Sequence, residues 1–144
     1  MKDLDLSLLI GLSRTSNTFA SETSRIMTAH DLTLSQFAVL EAVVHKGTLS
    51  IGEIQRKILS TTGTMPVIIK NLEKRGLVVR EQDPTDKRRF YITATPEGHA
   101  LMDKVFPLNE SMIHNKMTCW SQEEKQVLFK LLQKFRKQEG TDHE

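Results

Sequence analysis

Residues 50–95 read SIGEIQRKILSTTGTMPVIIKNLEKRGLVVREQDPTDKRRFYITAT, and this stretch decides the fold. Ser50 followed by Glu53 has capping-box spacing, so a helix is expected to start there, with Ile51, Ile54 and Ile58 on one face. The small polar run Ser60-Thr61-Thr62-Gly63 interrupts it. A second helix is expected up to Arg75, with Met65, Ile68, Ile69 and Leu72 as its apolar stripe. Pro66 lacks an N–H and clashes inside a helix, but the first turn tolerates it. That places the N-cap at Thr61 or Thr62. Lys74-Arg75-Gly76 closes the helix: the cations suit its negative end, and the glycine suits a left-handed position just beyond. Leu77-Val78-Val79-Arg80 and Phe90-Tyr91-Ile92-Thr93 read as strands, joined by Asp83-Pro84-Thr85-Asp86-Lys87-Arg88-Arg89. Helix, turn, helix and a basic-tipped hairpin predict a winged helix-turn-helix.

Working outward, Leu4 to about Ala29 reads as one long helix whose stripe (Leu6, Leu9, Leu12 or Ser13, Ser16, Phe19, Thr23, Ile26) is apolar at both ends and polar in the middle. Thr33 with Gln36 is a second capping box, opening a helix through Phe37, Val39, Leu40, Val43 and Val44 that ends at Lys46-Gly47. Thr48-Leu49 has room for a bridge strand, a third strand of the wing sheet. Thr95-Pro96-Glu97 starts the next helix, with cap, proline and acid in order. Its stripe is Leu101, Met102, Val105, Phe106 and Leu108, and Pro107 is expected to kink or divide it. Ser121 with Glu124 opens a last amphipathic helix through Val127, Leu128, Leu131, Leu132 and Phe135, before a polar tail from Gly140 to Glu144. The expected class is mainly α with a small β-wing (α+β). One domain spans residues 1–144, with the winged helix-turn-helix at about 33–95 between helices at about 4–29 and 96–139.

Hydrophobic residues make up 38% and charged residues 26%, a balance that excludes disorder. No apolar run approaches the ~20 residues of a membrane span, and the alternating Asp and Leu after Lys2 exclude a signal peptide. The one cysteine, Cys119, allows no intramolecular disulfide and fits a reducing cytoplasm. Between Ser50 and Thr93 nine Lys/Arg face five Asp/Glu, a net of +4 that leaves −2 for the rest of a chain totalling +2. Positive charge gathered on the helix-turn-helix is the footprint of phosphate binding, although a solvated surface with chance clustering has the same count. No phosphate loop, nucleophile–base motif or carboxylate pair stands out, so no enzyme and no cofactor are expected. The histidines (His30, His45, His99, His114, His143) are scattered; Glu41 with His45 is an i, i+4 pair but no metal motif, and no metal is expected.

Three pieces in order and spacing resemble the MarR family of bacterial transcription regulators. They are Leu72-Glu73-Lys74-Arg75-Gly76-Leu77-Val78-x-Arg80, Asp83-Pro84-x-Asp86-x-Arg88 and Thr95-x-x-Gly98. The similar architecture covers essentially the whole chain. The resemblance implies a homodimer formed by the terminal helices, binding double-stranded DNA at a palindromic operator, most often as a repressor. It also implies an effector between the first, second and fifth helices, where Leu12, Ser16, Phe19, Phe37 and Phe106 are the candidate lining. Phe37-Ala38-Val39-Leu40-Glu41 and Leu101-Met102-Asp103-x-x-Phe106-Pro107 look most similar to members responding to quinones or small phenolic compounds.

For DNA contact, Thr61, Thr62, Thr64, Val67, Lys70 and Asn71 can face outward from the second helix, with Gly63 at its approach. Hydroxyls and a Val methyl can read base edges while Lys70 reaches phosphate. At the wing, the resemblance makes Asp86-x-Arg88 the family motif: Asp86 orients Arg88 toward a narrow, electronegative minor groove, with Lys87 and Arg89 adding phosphate contacts. Two other readings stay open. A winged helix can serve protein–protein contacts, and Cys119 can act as an oxidant sensor. Relatives that sense oxidants carry their cysteine near the start of the first helix, where this chain has none.

Overall fold

The computed structural model describes residues 3–58 and 65–140. In order along the chain come α1 (Leu4–Thr28), α2 (Leu34–Lys46), β1 (Leu49–Ser50), α3 (Ile51–Ile58), α4 (Met65–Lys74), β2 (Val78–Gln82), β3 (Phe90–Ala94), α5 (Pro96–Met117) and α6 (Gln122–Gln138). Two units divide within α5, the first running to Glu110 and the second starting at Ser111.

Short-range hydrogen bonds start most of the helices. Asp3 accepts from the N–H groups of Asp5 and Leu6 at the head of α1. The Gln36 N–H donates to Thr33 Oγ1 at 3.1 Å, and Gln36 Oε1 accepts from the Thr33 N–H at 3.0 Å. The same reciprocal pair joins Ser50 with Glu53 (3.2 and 2.7 Å) and Ser121 with Glu124 (3.1 and 2.8 Å). Each box satisfies two donors that a helix start leaves unpaired. At the far end of α4, Gly76 takes φ +70°. The Leu77 N–H reaches the Leu72 carbonyl and the Gly76 N–H that of Glu73, a Schellman turn.

The sheet is antiparallel in the order β1-β3-β2. Leu49 lies opposite Ile92 and Ser50 opposite Tyr91, while β2 runs from Val78 opposite Ala94 to Gln82 opposite Phe90. The hairpin strands differ from the sequence expectation at their ends. Leu77 belongs to the turn that closes α4, so β2 starts one residue later and continues to Gln82.

The core of the first unit joins Met27, Leu32, Leu40, Ile54, Met65, Ile69, Leu72, Ile92 and Met102, all essentially inaccessible. Thr23 and Asn109, buried between α1 and α5, satisfy each other through a 2.7 Å hydrogen bond. Gly98, in the first turn of α5, has no room for a side chain: a Cβ there would lie 2.2 Å from the Leu77 carbonyl oxygen. Pro107 does not divide α5, which runs unbroken from Pro96 to Met117. Both Pro107 and Asp103, whose carbonyl loses its helical donor, are exposed, so water can serve that carbonyl.

In the second unit α6 buries no residue, and Val127, Phe129, Leu131 and Phe135 are each more than half exposed. The N-terminal half of α1 is also exposed, displaying Leu4, Leu6, Leu8, Leu9, Ile10 and Leu12. Among the described residues no helix is long and apolar enough to cross a membrane.

A candidate nucleic-acid interface

The spacing of α4 divides it into two stripes. Met65, Ile68, Ile69 and Leu72 are buried, and this anchoring turns Val67, Lys70, Asn71 and Lys74 outward at i, i+3, i+4 and i+7. Pro66 sits in the first turn of the described helix. The expected contacts at Thr61, Thr62, Gly63 and Thr64 lie outside the described residues.

The hairpin loop is tied together by its own polar groups. The Asp83 N–H donates to the Arg89 carbonyl at 2.8 Å, the Arg89 N–H to the Asp86 carbonyl at 3.0 Å, and Gln82 Nε2 to the Lys87 carbonyl at 2.7 Å. Asp86 Oδ1 accepts the Arg88 N–H at 3.0 Å and lies 3.4 Å from Arg88 Nε, the local pairing expected of the Asp86-x-Arg88 motif. The Arg88 side chain is 93% exposed, so its charge stands free of the protein body. Arg89 also belongs to the tip, but its guanidinium lies 5.9 Å from the Tyr91 ring centre. Arg80 on β2 packs similarly, 4.8 Å from the Phe90 ring centre and 3.9 Å from a Glu73 oxygen.

Two carboxylates on this side of the molecule are held charged. Asp83 is lowered to about 2, chiefly by the Thr85 N–H and hydroxyl and further by Asp86 and Tyr91. The Ser50 N–H holds Glu53 below its ordinary value, and Arg56 and Arg89 add smaller pulls. In the sequence Asp83 enters only as part of the Asp83-Pro84-x-Asp86-x-Arg88 piece, with no role of its own, and Tyr91 only as a strand residue. The available signal was Asp-Pro-Thr, which has the spacing of an Asx turn.

The five expected effector residues occupy different environments. Phe37 is buried in the core, Phe19 and Phe106 are half-buried, and Leu12 and Ser16 are exposed on α1. Phe106 meets the His45 ring edge-on, with centres 4.8 Å apart. A cavity of about 370 Å³ lies between α2 and α3, and none of the five lines it. Its walls include Ala38, Glu41, Ala42 and His45 of α2 and Lys57 and Ile58 of α3. Burial pushes the Glu41 carboxyl above its ordinary value against the opposing pull of His45. Among the described residues no three His, Cys, Asp or Glu side chains come together in a metal-binding group. Cys119 is a free, exposed thiol.

The model of the MarR family matches residues 30–89. The HTH-type transcriptional regulator MhqR of Bacillus subtilis (strain 168) is 30% identical over 134 residues, spanning 93% of this chain and 92% of that protein. Among solved structures, reduced AbfR bound to DNA matches with a TM-score of 0.74 at 26% identity, covering 94% of this chain and 93% of that one. Bordetella bronchiseptica BpsR, whose structure concerns regulation of DNA binding by 6-hydroxynicotinic acid, has the same fold. Its TM-score is 0.82 at 23% identity, over 100% of this chain and 99% of that one.

Proposed function

This chain belongs to the MarR family of transcriptional regulators, and from that premise we propose that it is a homodimeric cytoplasmic repressor. It binds a palindromic operator and leaves it when a small phenolic or quinone-like effector binds. The observation that carries this is the outward stripe Val67–Lys70–Asn71 on α4 together with a wing whose tip carries the 93% exposed Arg88. Helix-turn-helix docking lays such a helix in the major groove, and an arginine at the wing tip suits the adjacent minor groove. Thr61, Thr62 and Thr64 precede the stripe in sequence and are proposed to read base edges with it.

The two copies associate through α1 and α6. Each helix exposes large apolar side chains, Leu4, Leu6, Leu8, Leu9, Ile10 and Leu12 on α1 and Val127, Phe129, Leu131 and Phe135 on α6, which a second copy can cover. The effector sits among α1, α2 and α5 near Phe19, Phe37 and Phe106, and its binding changes the separation of the two DNA-reading lobes. A hydroxylated aromatic acid regulating DNA binding in BpsR supports this class of ligand.

The test combines light scattering with duplex titration. Genomic fragments captured by the protein should share a palindrome. The protein should scatter as a dimer at micromolar concentration. It should bind the palindrome more tightly than a random duplex, and both affinities should fall steeply with salt. A monomer would overturn the two-lobe arrangement. Weak, salt-tolerant association with every duplex would favour a protein–protein module instead.

A further inference from the structure

We propose that Tyr91 is a positioning residue for the wing, one β3 side chain that holds both the acid shaping the loop and the last cation of its tip. This rests on the proposed wing contact with DNA and adds to it a residue that need not touch DNA.

Tyr91 lies on β3, the middle strand of the sheet, paired with Ser50 on β1 and Glu81 on β2. Its backbone is therefore fixed from both sides. Its hydroxyl donates to Asp83 Oδ2 at 3.1 Å. The other oxygen of that carboxylate, Oδ1, accepts the Thr85 N–H (2.8 Å), the Thr85 hydroxyl (2.8 Å) and the Asp86 N–H (3.2 Å). Asp86 in turn accepts the Arg88 N–H at 3.0 Å. A continuous series of hydrogen bonds thus runs from the rigid sheet to the backbone of Arg88. On the same tyrosine the ring lies 5.9 Å from the Arg89 guanidinium.

An exposed hairpin tip with long cationic side chains has many conformations, and DNA selects few of them. Every degree of freedom frozen beforehand reduces the ordering penalty of binding. Asp83 is suited to this role because its four accepted bonds leave it a charged, saturated acceptor rather than a free negative charge facing phosphate. The position of Tyr91 at the sheet end of the series makes it the anchor.

The test is a salt titration of operator binding by Tyr91→Phe, with Arg88→Ala alongside. Tyr91→Phe keeps the ring under Arg89 and removes only the hydroxyl. Operator affinity should fall about three- to ten-fold, the range of one hydrogen bond. The slope of log K against log salt should stay that of the parent, because no phosphate contact is lost. The thermal midpoint should fall by no more than a few degrees, the worth of that one hydrogen bond, so the variant stays fully folded at the assay temperature. Arg88→Ala should weaken binding and lower the slope by about one. Tyr91→Phe combined with Asp83→Asn should bind no more weakly than the weaker single variant, because both interrupt one series.

Three results would overturn the proposal while leaving the wing contact intact. These are parental affinity in Tyr91→Phe, a lost slope unit in Tyr91→Phe, which would place Tyr91 on the DNA itself, and additive losses in the double variant. A fall in thermal midpoint that accounts for the lost affinity would reduce Tyr91 to a fold stabiliser and overturn it too. If Arg88→Ala changes neither affinity nor slope, the wing contact itself is wrong and the role of Tyr91 falls with it.

Discussion

Asp86→Ala removes a negative charge from a surface proposed to face phosphate, and binding should nevertheless weaken. Arg88 Nε stands 3.4 Å from the Asp86 carboxylate, with the two side chains 93% and 47% exposed. A pair that exposed contributes under about 1 kcal/mol. The same oxygen also accepts the Arg88 N–H at 3.0 Å. A bond of that kind is worth ~0.5–1.5 kcal/mol net. Losing both loosens the tip by about 1 kcal/mol, or roughly five-fold in affinity. Against this stands relief of repulsion. One charge ~10 Å from a phosphate gains about 0.4 kcal/mol in water before screening. With a Debye length of ~8 Å near physiological salt, about 0.1 kcal/mol of that survives. Orientation therefore outweighs charge, and Asp86→Ala should bind operator several-fold more weakly than the parent. The deficit should narrow near 0.01 M salt, where the Debye length is about 30 Å and repulsion counts for more. Fluorescence anisotropy on an operator duplex at the two salt concentrations measures both quantities. Tighter binding by Asp86→Ala near physiological salt would refute the orientation role and leave the wing as a bulk positive patch.

Gly98→Ala forces a methyl to 2.2 Å from the Leu77 carbonyl, a backbone group that already accepts the Thr95 N–H. The expected loss is about 1–3 kcal/mol, read as a lower thermal midpoint, and an unchanged midpoint would show that the α5 start can shift freely. Asp83, lowered from 3.8 to about 2, favours the folded hairpin above the unfolded value, and that contribution is lost as pH falls through about 2. Carboxyl chemical shifts should therefore give Asp83 a midpoint near 2; one near 3.8 would mean that the loop is not held closed in solution. Cys119 is exposed and solitary, so Cys119→Ser and the parent should release DNA alike under peroxide. Release by the parent alone would identify Cys119 as a sensor.

What could be read from the sequence was largely what short-range chemistry dictates. The pairs Thr33/Gln36, Ser50/Glu53 and Ser121/Glu124 place helix starts because both partners lie within one turn. The glycine end of α4 and the outward stripe at Val67, Lys70 and Asn71 follow from periodicity for the same reason. Contacts that depend on strand register were not legible. Tyr91 reaches Asp83 because β3 places it there, and nothing in the spacing of the two residues announces the bond. Pro107 was expected to kink or divide α5; the helix is not divided there, and the sequence does not reveal that the carbonyl it deprives is exposed to water. The candidate effector residues were chosen from helical stripes. The cavity between α2 and α3 arises from tertiary packing, as does the burial that raises Glu41.

Ser50 is at once the last residue of β1, the strand partner of Tyr91 and the cap of α3. At the other edge of the sheet, α4 turns into β2 through Arg75, Gly76 and Leu77 alone. Both helices thus run into the wing sheet with no slack at the joints. In the proposed dimer such lobes act as the fixed jaws of a pair of callipers. One base pair inserted between the half-sites turns the second by roughly 35° around the duplex. A jaw without internal play cannot follow that rotation with its helix while its wing stays in the neighbouring groove. The gauge set between the jaws, more than any single base contact, then decides which palindromes in a genome are gripped at both ends.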